Sequence, residues 1–182
     1  MTHSVHVVAA QNRWGSKVAF TLTELMVVIA IIGILAVISM PVISRITESA
    51  RRNQAQNEVA ALATALRAYL DAYSVWPTAL WGTQMGPEGL PVDAEIIELL
   101  SGHEDMADFN RRRITFMEFP ERALEANEFR DPWGNELYRF AVNLDYGNQI
   151  LVEPDDHDPV TVRQTVAVWS TGAPNNELIA SW

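Results

Sequence analysis

The hydrophobic positions of the chain change character along its first seventy residues. From Leu25 to Ser44, between Glu24 and Arg45, apolar residues dominate and no residue is charged. About twenty such residues at ~1.5 Å rise match the ~30 Å hydrocarbon core of a bilayer, so this stretch predicts a membrane-spanning helix. Beyond Pro41 the apolar positions Val42, Ile46, Val59, Leu62, Leu66, Tyr69 and Tyr73 recur at three- and four-residue steps, between polar Arg51, Arg52, Gln54, Asn57, Glu58 and Arg67. One helix from about Thr21 to Tyr73 is predicted, lipid-compatible in its first half and amphipathic in its second. A secretory signal peptide would end its apolar core after roughly 7–15 residues at a cleavage site, whereas here the helical pattern continues. Pro41 removes a backbone donor and crowds the preceding turn, which predicts a kink there, with Gly33, Ser39 and Ser44 as weaker points nearby.

After residue 74 the pattern breaks into Pro- and Gly-rich sequence. A short helix is predicted over 93–100, with Ile96, Leu99 and Leu100 facing inward. Four β-rich runs follow, at 114–119, 136–144, 148–153 and 160–170. Three or four antiparallel strands packed on the apolar face of the long helix make an α+β domain. Between the first two runs, "DPWGNELYRF" reads as a packed loop entering a strand: Asp131 and Pro132 start a turn, Gly134 and Asn135 tolerate positive φ, and Trp133 is an apolar anchor. The "RRR" at 111–113 follows Glu104, Asp105 and Asp108 and reads as a solvated turn.

Charge sharpens this picture. Residues 1–72 hold six Lys/Arg against four Asp/Glu, and residues 73–182 hold seven against nineteen. The acidic second part repels phosphates, which argues against nucleic acid as a partner. Residues 1–19 carry Arg13 and Lys17 and no acid, so the positive-inside tendency keeps the short N-terminal segment cytoplasmic and exports the large domain. The chain has no cysteine, which excludes disulfides and thiolate chemistry.

The stretch "KVAFTLTELMVVIAIIGILAVISMPVISR" resembles the N-terminal signature of type IV prepilins and pseudopilins, in which a short basic leader precedes Phe-Thr-Leu-x-Glu-Leu and an apolar helix. "DPWGN", residues 131–135, is similar to a hallmark of the major pseudopilin of type II secretion systems, although Glu136 and Leu137 replace the single proline before Tyr138. "VAVWSTGAPNNELIASW" resembles the strand and loop that close the same domain. The resemblance implies a type IV pilin-like α+β fold, with a long transmembrane and amphipathic helix on a small antiparallel sheet. It divides the chain into a leader (1–19), a transmembrane half-helix (20–44), an amphipathic half-helix (45–73) and a periplasmic globular domain (74–182). It implies cleavage between Ala19 and Phe20 by a prepilin peptidase, N-methylation of Phe20, and a helix-bending role for Pro41. Ala19 departs from the usual glycine before the cut.

Cleavage would free an α-amine, whose reference pKa near ~7.7–8.0 leaves it mostly protonated, and a carboxylate is its natural partner. The resemblance implies that Glu24 meets the amine of a neighbouring subunit within a filament. A buried pair of this kind adds little net stability, but leaving it unpaired is unfavourable, so Glu24 would set the register between subunits. The implied setting is a homo-oligomeric filament with other pseudopilins, anchored through the inner membrane. An assembly platform and its ATPase would supply the energy, since the chain has no nucleotide motif.

The resemblance also implies a calcium loop near 173–177. Here Ala173, Pro174, Asn175 and Asn176 replace the usual aspartates and leave Glu177 as the loop's one acid, so calcium stays an open alternative and no metal ligand set is predicted. The run "EPDDHDP" at 153–159 lacks the glycine and distal glutamate of an EF-hand and reads as a solvated acidic turn. No cofactor and no catalytic residue is expected: the four histidines, at 3, 6, 103 and 157, are scattered, and no hydrolase or metalloprotease motif is present. Two other classes compete with a secretion pseudopilin. One is a type IV pilin of a surface filament serving adhesion, motility or DNA uptake. The other is a monomeric anchored binding or enzymatic domain, which would need neither cleavage at Phe20 nor Glu24.

Overall fold

The computed structural model describes residues 20–182 apart from 83, 84 and 146, and for 38–42 the backbone alone. The chain divides into two compact units, Met1–Ser44 and Arg45–Trp182. Helix α1, Leu22–Tyr73, begins in the first and ends in the second.

In the first unit the apolar side chains along α1 are exposed, from 43% at Val28 to 77% at Leu22. Among the described residues no helix is long and apolar enough to cross a membrane. The fully described stretch from Leu22 to Val37 spans only roughly 24 Å at ~1.5 Å per residue, against ~30 Å of hydrocarbon. The predicted span over 25–44 runs on through the side chains of 38–42, including Pro41, which lie outside the described residues, as do residues 1–19 with Ala19.

In the second unit α1 buries one stripe: Ala55, Val59, Leu62, Ala63, Ala65, Leu66 and Tyr69. These spacings return to one face at 3.6 residues per turn, as the sequence pattern predicts for Val59, Leu62, Leu66 and Tyr69. Ile46 departs from that expectation. It is 63% exposed, because the cover that the domain lays on α1 begins further along the helix. The helix stops where Ser74 turns to φ 58° and donates its N–H to Leu70 O at 2.6 Å, shortly before Pro77.

The sheet against this stripe has strand order β1-β2-β5-β6, all antiparallel: Leu90–Pro91, Arg139–Val142, Val166–Ala173 and Glu177–Ala180. Side chains alternate across it. Phe140, Val142, Val166 and Val168 join the α1 stripe in the main core, while Ala141, Ala167 and Trp169 face a second cluster with Ile150, Val152 and Val162. That second face is covered by a two-stranded ribbon, β3 (Ile150–Val152) with β4 (Val160–Val162). The single run expected over 160–170 is therefore two strands in two sheets, separated at residues 163–165 where the chain crosses from the ribbon to the central strand.

The Pro- and Gly-rich region supplies α2 (Thr78–Trp81), α3 (Ala94–Ser101) and α4 (Glu121–Ala126). Helix α3 matches its sequence signals: Asp93 caps it by accepting from Ile96 N, Gly102 ends it in the left-handed region, and Ile96, Ile97, Leu99 and Leu100 are buried. The strand expected at 114–119 is not formed. Phe116 N and Met117 N donate to Leu100 O at the end of α3, at 2.7 and 3.2 Å, so this segment spends its donors on a helix end instead of a strand. Its apolar residues still pack, Phe116 edge-on to Tyr69 and Phe119 edge-on to Phe129.

Candidate functional site

Two sets of motif residues are resolved, one in each unit. At the head of α1, Glu24 Oε2 accepts from Thr21 N at 2.8 Å and from Thr21 Oγ1 at 2.7 Å, while Thr21 Oγ1 accepts from Glu24 N at 3.2 Å. This is a capping box: the helix start needs partners for its free N–H groups, and a Thr followed three residues later by Glu supplies them reciprocally. Phe20, immediately before it, is 69% exposed.

In the second unit the organising group is Asp131, only 3% exposed. Its Oδ1 accepts from Trp133 N at 3.1 Å and Asn135 N at 3.2 Å, and its Oδ2 accepts from Glu136 N at 3.3 Å and Ser170 Oγ at 3.0 Å. Asn135 Nδ2 donates to Gly172 O at 2.8 Å, and Gly172 N donates to Ser170 Oγ at 3.2 Å. Residues 131–136 thus form one polar knot with 170–172 of the central strand. Gly172 is required there, because a Cβ would overlap Oδ2 of Asp131 and approach Cγ at 2.9 Å. Gly134, at φ 76°, lets the loop turn tightly enough to present these donors.

The knot is fastened to α1 at two levels. Trp133 Nε1 donates to Glu48 Oε2 at 3.1 Å, and Glu48 Oε1 also receives Arg52 Nε at 3.2 Å. The indole N–H first, then Arg52 and the charge of Arg51, hold the Glu48 carboxyl below the usual range against an opposing desolvation. Arg52 in turn pairs with Glu177 on β6 at 2.6 Å. About three turns beyond Glu48, Glu58 accepts from Tyr138 OH at 2.7 Å, Arg122 Nη2 at 2.6 Å and Gln54 Nε2 at 2.9 Å. Burial, then the Glu58 charge, pushes the Tyr138 phenol far up.

This arrangement holds elements together. Asp131 receives four donors from its own loop and the central strand, which commits its lone pairs to structure instead of proton transfer. The expected solvated turn at 111–113 is exposed at all three arginines. Glu98, His103 and Asp105 bring ligand atoms within 4.8 Å of one another on the surface, where His103 already pairs with Asp105 at 3.3 Å.

Of the residues singled out in the sequence, Asp131, Pro132, Trp133, Gly134 and Asn135 come together, and Phe20 and Glu24 share the helix start. Glu48 has no signal in the sequence, Glu58 stands out there only as one polar residue on the face of the long helix, and Ser170 and Gly172 only as part of the closing motif. The Thr-Leu-Thr-Glu spacing carries the capping signal locally, whereas the pairing of Asp131 with Ser170 joins positions 39 apart and has no local trace.

Comparison with known proteins gives the same direction. The chain is 33% identical over 138 residues, 76% of its own length and 73% of the relative's, to type II secretion system core protein G of Escherichia coli (strain K12). No family model matches the chain, and no solved structure does.

Proposed function

The chain belongs to the pseudopilin family of type II secretion system core protein G, and from that premise we propose that it is a structural subunit of a periplasmic filament driving protein export. The likeness over three quarters of the chain carries this reading. A prepilin peptidase cuts between Ala19 and Phe20, and Phe20 becomes an N-methylated terminus. The apolar half of α1 then has two successive covers, the inner membrane in the single-pass subunit and neighbouring helices in the filament. Its side chains, from Phe20 to Val37, are exposed in the isolated chain and need such a cover.

Glu24 acts in register. Both bonds from Thr21 land on Oε2, and Oε1 is the oxygen we assign to the α-amine of a neighbouring subunit. The capping box lets the carboxylate wait at the membrane surface with partners of its own, so that its charge is not left bare before assembly. The helix-bending role that the family resemblance implies for Pro41 belongs to the same reading. The other pseudopilins, the membrane platform and its ATPase are the partners, and the chain contributes no catalysis.

The test is intact mass after co-expression with a prepilin peptidase, for wild type and Ala19→Leu. Loss of residues 1–19 with one added methyl, blocked in Ala19→Leu, is the expected result. An uncut wild-type chain would overturn the filament-subunit reading in favour of a permanently anchored monomer.

A further inference from the structure

The closing loop at 173–177 and the acidic turn at 153–158 are bound to each other, and the manner of that binding bears on the metal that the family resemblance implies. His157 lies between two main-chain carbonyls: Nδ1 is 2.8 Å from Asp155 O and Nε2 is 3.0 Å from Asn176 O. Carbonyl oxygens only accept, so a ring nitrogen that carries a proton donates to the carbonyl it faces, and the ring stands as a bridge between the two loops. Asn176 returns a second link, donating Nδ2 to Asp156 O at 3.3 Å, with Asp156 and Asn176 both at positive φ so that their carbonyls turn toward the junction. The remaining acid of the closing loop, Glu177, is drawn away to Arg52 at 2.6 Å.

A calcium ion needs six to eight oxygens, each at ~2.3–2.6 Å. Ala173 and Pro174 offer no side-chain oxygen, Glu177 is paired with Arg52, and among the described residues the carboxylates of Glu153, Asp155, Asp156 and Asp158 do not bring three ligand atoms within 4.8 Å of one another. Asp155 O and Asn176 O each face a different nitrogen of the His157 ring, so the ring occupies the space between them that a shared ion would need. The residues present do not fit the ion.

We propose that this closing loop is held by protein groups alone, with the His157 ring and the Asn176 amide bridging the two loops, so that folding of the subunit is independent of calcium. The inference concerns how the domain closes and is separable from filament assembly, since it is read from unfolding and not from secretion or leader cleavage.

The experiment is thermal unfolding of the full chain in detergent, followed by tryptophan fluorescence, in calcium chloride and in EGTA. The wild-type midpoint is expected to be the same in both. His157→Ala is expected to lower it by about 2–6 °C in either buffer, the scale of one or two lost hydrogen bonds in a domain of this size. His157→Gln retains one donor and is expected to fall between the two, and Asn176→Ala, which removes the other link, to lower the midpoint on its own. A wild-type midpoint that rises with calcium and falls with EGTA would overturn the proposal. So would His157→Ala and Asn176→Ala both melting with wild type.

Discussion

The Ser170 hydroxyl donates to Oδ2 of Asp131 at 3.0 Å, and the same oxygen fills the space that a side chain at Gly172 would enter. A loop between α4 and β2 is thereby locked to the central strand β5 by one carboxylate, and every group in the lock is short and polar. Asp131→Ala leaves Trp133 N, Asn135 N and Glu136 N without their acceptor, and we expect it to cost about 3 kcal/mol in chemical unfolding. Ser170→Ala removes one donor and costs about 1 kcal/mol. Gly172→Ala forces Asp131 aside and resembles Asp131→Ala more than Ser170→Ala, with about 1–3 kcal/mol lost to overpacking. If Gly172→Ala unfolds at the wild-type midpoint, the knot does not hold the domain.

That lock also marks the limit of what the chain reveals by itself. The long helix and the capped helix at 94–101 are written in local periodicity and the strands β2 and β5 in β-rich composition, and the structure follows them. The segment 114–119 carries the composition of a strand but finds the end of α3 before any strand edge, so tertiary context decides against its propensity. The run 160–170 hides a change of sheet that no period records. In the site, residues 131–135 are recognisable as a turn, but Asp131's partner strand and the Glu48 that anchors Trp133, 85 positions away, are properties of packing.

The Trp133–Glu48 contact gives an acid-sensitive signal. A carboxyl held below its usual range contributes stability above its unfolded value, and that contribution is lost as pH falls through the lowered folded value. We expect the Trp133 emission, taken as the difference between wild type and Trp133→Phe, to stay constant from neutrality into the range of ordinary carboxylates and to change only below it. Glu48→Gln is expected to abolish the transition. A Trp133 signal that titrates identically in Glu48→Gln would rule out this anchor.

At the alkaline end two buried phenols set the behaviour. Burial, helped by Tyr73, pushes the Tyr69 phenol up to about 12, and Tyr138 is raised further by burial beside Glu58. Both stay protonated in the folded chain where an unfolded tyrosine ionises near ~10, so the folded state binds more protons and stability falls as pH climbs above ~10. Ultraviolet titration of tyrosinate should therefore show a late, cooperative rise from Tyr69 and Tyr138 coincident with unfolding. Tyr138→Phe removes the donor to Glu58 and should weaken the late step. Full ionisation with the fold intact would contradict the burial of both rings.

The capping box makes a prediction that separates folding from assembly. The core of residues 45–182 contains no part of Thr21 or Glu24, so Glu24→Ala should melt with wild type while the first turn of α1 exchanges its amide protons faster. Thr21→Val keeps the carboxylate but removes the hydroxyl that bonds it, and should speed exchange in the same turn. On the proposed reading the two variants then diverge. Thr21→Val retains the negative charge for a neighbour's amine and still enters filaments when the secretion apparatus is supplied, whereas Glu24→Ala is cleaved and methylated but leaves no charge to set the register. The measurement is the sheared filament fraction alongside intact mass, so that failure of processing is seen separately from failure of assembly. Filaments of normal length from a processed Glu24→Ala chain would remove Glu24 from assembly and leave it only its role in the cap.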